Sequence, residues 1–154
     1  MKKLIVVTMI VALVAMSGVA MAASATGSLN VTAAVTASCR VTGTTAINFG
    51  NYDPTDTSNK DGGGDFTFRC TKGTDYKLYI AGTRKMTDGS NDLNFEIYSD
   101  ALRTAVYPSA LGGAIGGTSA SNAAISQNLY GRIPAEQDVP ANTYSQSLTV
   151  TVEY

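Results

Sequence analysis

Strict two-residue alternation at the C-terminal end of the chain is what most narrows its fold. In Ser147-Leu148-Thr149-Val150-Thr151-Val152-Glu153-Tyr154, the residues Leu148, Val150, Val152 and Tyr154 share one face. A period of two belongs to a β-strand covered on one side, because successive side chains point to opposite faces. No turn, cap or polar tail follows it. The strand therefore reads as the protected edge of a finished sheet or as one side of an unfinished one. The pattern recurs near the other end, where Ser28-Leu29-Asn30-Val31-Thr32-Ala33-Ala34-Val35 sets Leu29, Val31, Ala33 and Val35 on one face.

Between these segments lie short apolar alternations separated by turn clusters, in a stretch rich in Thr, Val, Tyr, Ser and Gly. That spacing predicts an all-β sandwich, and no amphipathic helix stands out. Cys39-Arg40-Val41 opens the domain, and Ile47-Asn48-Phe49-Gly50 continues it with Ile47 and Phe49 inward. Further strands are expected at Phe66-Thr67-Phe68-Arg69-Cys70, Tyr76-Lys77-Leu78-Tyr79-Ile80, Leu93-Asn94-Phe95-Glu96-Ile97-Tyr98 and Asn128-Leu129-Tyr130-Gly131-Arg132-Ile133. Ala105-Val106-Tyr107, before Pro108, is a short strand or edge. Asn51-Tyr52-Asp53-Pro54 and residues 58–64 read as turns, residues 87–92 as a hairpin connection, and residues 111–122 as a mobile Gly-rich loop. About seven strands with one disulfide fit an immunoglobulin-like sandwich, although the buried Trp of antibody domains is absent.

The N-terminus points to export. Lys2 and Lys3 precede an apolar run at residues 4–14, and small residues ending in Ala20-Met21-Ala22 follow. This reads as a signal peptide cut after Ala22, because the run is too short to span a bilayer and no basic stop-transfer cluster follows. Removing residues 1–22 from 154 leaves 132, room for one domain with a core. Loss of Lys2 and Lys3 leaves 9 Lys+Arg against 12 Asp+Glu, a net charge of about −3. No basic stripe suits nucleic acid, and no later run is long enough to cross a membrane. In an exported chain, Cys39 and Cys70, the only cysteines, read as a disulfide. It closes a loop of about 32 residues, for which chain entropy predicts about 3–4 kcal/mol.

Catalytic constellations are hard to assemble from these residues. The absence of His removes the usual general base, the Ser-His-Asp triad and most zinc sites. Asp53, Asp56, Asp61, Asp65, Asp88, Asp92 and Asp100 fall mostly in expected turns, where Asp bends and caps the backbone. Asp88-Gly89-Ser90-Asn91-Asp92 begins like a calcium loop but lacks its spacing and its closing Glu. Gly62-Gly63-Gly64 and Gly112-Gly113 lack the Lys of a phosphate loop and read as flexible turns. The 8 Tyr suit a carbohydrate-stacking face less well than half-buried strand positions with wet hydroxyls. No catalytic residue, cofactor or metal is expected.

Three C-terminal pieces stand in a distinctive order: Leu129-Tyr130-Gly131-Arg132-Ile133-Pro134-Ala135, Pro140-Ala141-Asn142-Thr143-Tyr144, and the alternating run from Leu148. With Cys39 after an alternating leader, Ile47-Asn48-Phe49-Gly50, Cys70 ending a strand, and Asn94-Phe95-Glu96-Ile97-Tyr98-Ser99-Asp100 followed by Arg103, the chain resembles the spore coat protein U domain. That is the subunit domain of archaic (Csu-like) chaperone–usher pili, and the resemblance covers essentially the whole mature chain. It implies an incomplete immunoglobulin-like sandwich, residues 39–154, completed by another subunit's N-terminal extension, residues 23–38. Carried over, the donor strand is Leu29, Val31, Ala33 and Val35, and the acceptor groove is bordered by Ile47, Phe49, Leu148, Val150 and Val152. Ala33 departs from the larger aliphatic common there. The implied partners are further copies or sibling subunits, a periplasmic chaperone and an outer-membrane usher, in a surface pilus serving adhesion and biofilm formation. The alternatives are a self-contained secreted coat-type surface protein and a carbohydrate-binding adhesin.

Overall fold

The computed structural model of the protein describes residues 22–154. All of the expected signal segment except Ala22 lies outside the described residues. The chain divides into two units, Met1–Ala34 and Val35–Tyr154. Of the first, residues 22–34 are exposed and carry no regular secondary structure.

The second unit begins with β1 (Cys39–Asn48), β2 (Lys60–Cys70) and β3 (Asp75–Ala81). Three short strands follow: β4 (Lys85–Thr87), β5 (Asp92–Asn94) and β6 (Glu96–Tyr98). A 3-10 turn (Leu111–Gly113) then leads to β7 (Ile115–Thr118), β8 (Ile125–Ile133) and β9 (Thr149–Glu153). One sheet runs β1-β2-β8-β6, a second β7-β3-β9, and β4-β5 is a separate hairpin. Every ladder is antiparallel.

Alternation decides which side chains fill the space between the sheets. In β2, Phe66, Phe68 and Cys70 point inward while Arg69 is exposed. In β3 it is Leu78 and Ile80, and in β8 Leu129 and Ile133. Leu93, Phe95, Ile97 and Tyr107 complete the buried apolar core, and Phe66 meets Tyr107 edge-on at 6.4 Å. Each such aliphatic or aromatic side chain contributes roughly 1.5–3 kcal/mol on leaving water. This is an immunoglobulin-like all-β sandwich with unclosed sheets.

The glycine runs correct the sequence reading. Gly62, Gly63 and Gly64 are not a turn: they lie within β2, opposite Gly131, Tyr130 and Leu129 of β8. A Cβ on Gly62 would approach Phe49 Cδ1 to 2.8 Å, and one on Gly64 would approach Thr45 O to 2.6 Å. The missing side chains let β1 fold down over β2. Residues 111–122 are likewise not a free loop, since β7 pairs with β3 from Asp75↔Thr118 to Leu78↔Ile115. Leu93 to Tyr98 is not one strand either. It breaks at Phe95, whose N–H donates to Arg84 O at 3.0 Å, and its halves join different sheets.

Candidate functional site

Besides β6 and β7, the two sheets end in β1 and β9. β1 pairs only with β2, and β9 only with β3, among the described residues. Most of β1 is exposed, and its ladder carries irregularities at Val41/Gly43 and Thr45/Asn48. Such bulges twist an edge and interrupt its pairing.

Between these edges lies a cleft of about 440 Å³. Ile47 and Phe49 form one wall, Leu148 and Val150 the other, and Ile80, Phe95, Ile97 and Leu129 lie beneath. Asp65 is the one charged residue on its lining among the described residues. A second cleft, about 660 Å³, shares Ala46, Ile47, Phe49 and Met86 and continues to Tyr52, Val139 and Tyr144. Ile47, Phe49, Leu148 and Val150 are only partly buried although packed on the core. Apolar side chains lining an open groove with unpaired backbone on both rims have the makings of a strand-binding site.

The structure brings four of the five expected groove residues together. Val152 is apart from them, opposite Leu78 on the β9–β3 ladder. The expected donor residues are highly exposed, Leu29 at 87%, Val31 at 85% and Val35 at 83%; Ala33 is exposed as well. Ile80, Met86, Phe95, Ile97 and Leu129 were not read as groove residues, although the alternation of Phe95 and Ile97 already marked one inward face. Gly131 was missed for want of a side chain. A Cβ there would come within 2.7 Å of both Ile47 and Phe49.

The chain enters β1 through a tight bracket. Cys39 and Cys70 are joined by the disulfide. Beside it, the Thr71 N–H donates to Ser38 O at 2.8 Å, and Thr71 Oγ1 reaches Thr36 O at 3.3 Å.

Asp53, Asp88 and Asp100 brace loops, while Asp61 pairs across strands. The Asp88 carboxylate accepts from the N–H groups of Asn91 (2.7 Å) and Ser90 (2.9 Å) and from Asn142 Nδ2 (3.0 Å). These bonds, led by Asn91, hold it well below the usual carboxylate range. Asp100 is lowered chiefly by the Ala105 N–H, and Asp53 by Thr55. Asp61 takes Arg132 in a two-pronged pair at 2.8 and 3.0 Å and Arg103 at 3.1 Å. Arg103 also donates to Gly131 O at 3.2 Å, fastening the 100–105 loop to β8 beside the groove floor.

No curated protein matches the chain. A solved structure with the same fold is a chain of the CsuC–CsuE chaperone–tip adhesion subunit pre-assembly complex from the archaic chaperone–usher Csu pili of Acinetobacter baumannii. The TM-score is 0.53 and the identity 18%, over 78% of this chain and 40% of that one, so the protein spans about two-fifths of its length. The family model of the Spore Coat Protein U domain matches residues 25–151. That match takes in the N-terminal alternating segment, the start of the C-terminal one and every strand but the tip of β9, and the chain belongs to the Spore Coat Protein U domain family.

Proposed function

We propose that the protein is a structural subunit of an archaic chaperone–usher pilus. Each copy lends Leu29, Val31, Ala33 and Val35 to the groove between β1 and β9 of the next. The observation that carries this reading is the pairing of two open edges over one apolar cleft with an exposed alternating leader. An added strand gains main-chain hydrogen bonds on the rims and sends alternate side chains inward. A one-residue slip would turn all four apolar residues outward, so the register is fixed. Burying four such residues is worth several kcal/mol, at roughly 1.5–3 kcal/mol for each larger aliphatic, less the entropy of ordering the leader. Because the donor and the groove are different surfaces, the joint is heterologous and generates an open polymer.

A periplasmic chaperone that fills the groove during export, an outer-membrane usher that exchanges it, and a role in adhesion and biofilm formation complete the proposal. Domain family and fold are those of a structural subunit, and enzymatic activity has no residue set behind it. The family's coat-protein name favours a second reading, a self-contained surface protein that forms no fibre.

One comparison separates them: residues 23–154 against the same chain lacking the leader through Val35. SDS-resistant ladders or fibres from the longer form alone are expected. A longer form that also stays monomeric favours the self-contained reading.

A further inference from the structure

At the disulfide end of the domain, Arg40 and Arg69 face each other across β1 and β2 as direct partners. Like charges opposite one another on a ladder repel. Lys72 joins them around an open depression that also includes Ser38, Thr71 and Asn122. All three cations are exposed, and none is in an ion pair among the described residues. Asp75, Lys77 and Glu153 on the other sheet leave that end net positive.

The opposite end, about ten strand residues away along β1, carries the reverse charge. Asp53, Asp56, Asp88, Glu136 and Asp138 occupy its loops; of the cations near it, Lys85 is paired with Asp92, Arg103 and Arg132 share Asp61, and Lys60 makes no ion pair among the described residues, so that end stays net negative. The loops are fastened together. Tyr52 Oη donates to Pro134 O and accepts from the Gln137 N–H, each at 2.9 Å, and Asn142 ties to Asp88. The acidic end is therefore a fixed surface.

We propose that the basic depression of one copy docks against the acidic loop end of the next. The occupant is a second copy because the complementary charge is fixed on this same domain, at the far end of the same strand, in a chain whose overall charge is acidic. This contact rests on the pilus-subunit reading and adds a polar clamp to the apolar joint. It favours basic-to-acidic stacking, since two disulfide ends brought together place like charges face to face.

The test uses mature protein, residues 23–154, at low salt. Arg40→Glu/Arg69→Glu and Asp53→Lys/Asp56→Lys are each expected to slow ladder formation at least about tenfold, and their combination to restore it to within about threefold. Rates of the unaltered protein are expected to fall as salt screens the ends. The same pairs placed in Val31→Asp, which blocks strand donation, are followed by sedimentation. Weak salt-sensitive self-association, lost in each pair and regained in the combination, supports the contact even if no ladders form. Absence of ladders with that association intact counts against strand donation alone. Additive losses without rescue overturn the contact, as does salt-insensitive assembly. Binding of polyphosphate to the depression without self-association also overturns it, in favour of an anionic polymer as occupant. Arg40→Gln/Arg69→Gln, with an intermediate loss, guards against a folding defect in the Glu pair.

Discussion

Tyr107 is wholly buried, and its hydroxyl finds no hydrogen-bond partner among the described residues. Burial pushes its pKa up to about 12. Its value to the fold is therefore the ring against Phe66, and Tyr107→Phe is expected to leave stability within about 1 kcal/mol or raise it, because an orphaned polar group is removed. Tyr107→Ala is expected to cost about 3–5 kcal/mol. Urea unfolding of both variants checks this, and a Phe variant as damaged as the Ala one disproves it. The loop carboxylates work oppositely. Asp88 and Asp100 are held below the ordinary value near 3.9 by backbone N–H groups, so the stability they lend is complete above about pH 4. It is lost as pH falls through their depressed folded values. A melting curve followed from pH 5 to 2 is expected to drop, and Asp88→Asn or Asp100→Asn to flatten the drop; identical profiles would refute the assignment.

Elements with apolar alternation were legible in the sequence: β3 and β9, the inward half of β2 at Phe66 and Phe68, and β8 from Leu129 to Ile133 are where the pattern placed them. The two missed stretches share one physical cause. Gly62 to Gly64 and Gly116-Gly117 leave no side chain for a pattern to register, yet each lies where a neighbour needs the room. A Cβ on Gly117 would strike the Tyr76 hydroxyl at 2.6 Å, just as Gly131 yields to Ile47 and Phe49. Gly131→Val is therefore expected to cost about 1–3 kcal/mol, and to weaken groove binding, by forcing that wall of the groove outward. Thermal unfolding, with Gly63→Val as the control because its Cβ meets only Leu129 O at 3.8 Å, decides whether the close approach is the cause. The groove was half legible: the wall residues Ile47, Phe49, Leu148 and Val150 stand in alternating runs, whereas Met86 comes from the short hairpin strand β4 and is brought in by chain reversal alone.

At the scale of the whole molecule, an apolar groove with two open rims is costly to leave empty. Val31→Asp is expected to abolish SDS-resistant assembly while leaving the melting of the domain within a few degrees, because Val31 is exposed. Loss of folding would instead place Val31 in the domain's own core. The disulfide belongs to the same scale. Its removal by Cys39→Ser/Cys70→Ser is expected to cost about 2–5 kcal/mol, read by chemical unfolding.

The crosslink has a mechanical consequence as well. A pull on the residues before Cys39 does not simply peel β1 from its neighbour, because the sulfur bridge passes tension directly to the end of β2. β2 is held in turn to β8 along an unbroken ladder from Lys60↔Ile133 to Phe68↔Ile125. Force entering at the leader is thus shared by a central pair of strands instead of an irregular edge, and the domain is built to be towed by its own N-terminus.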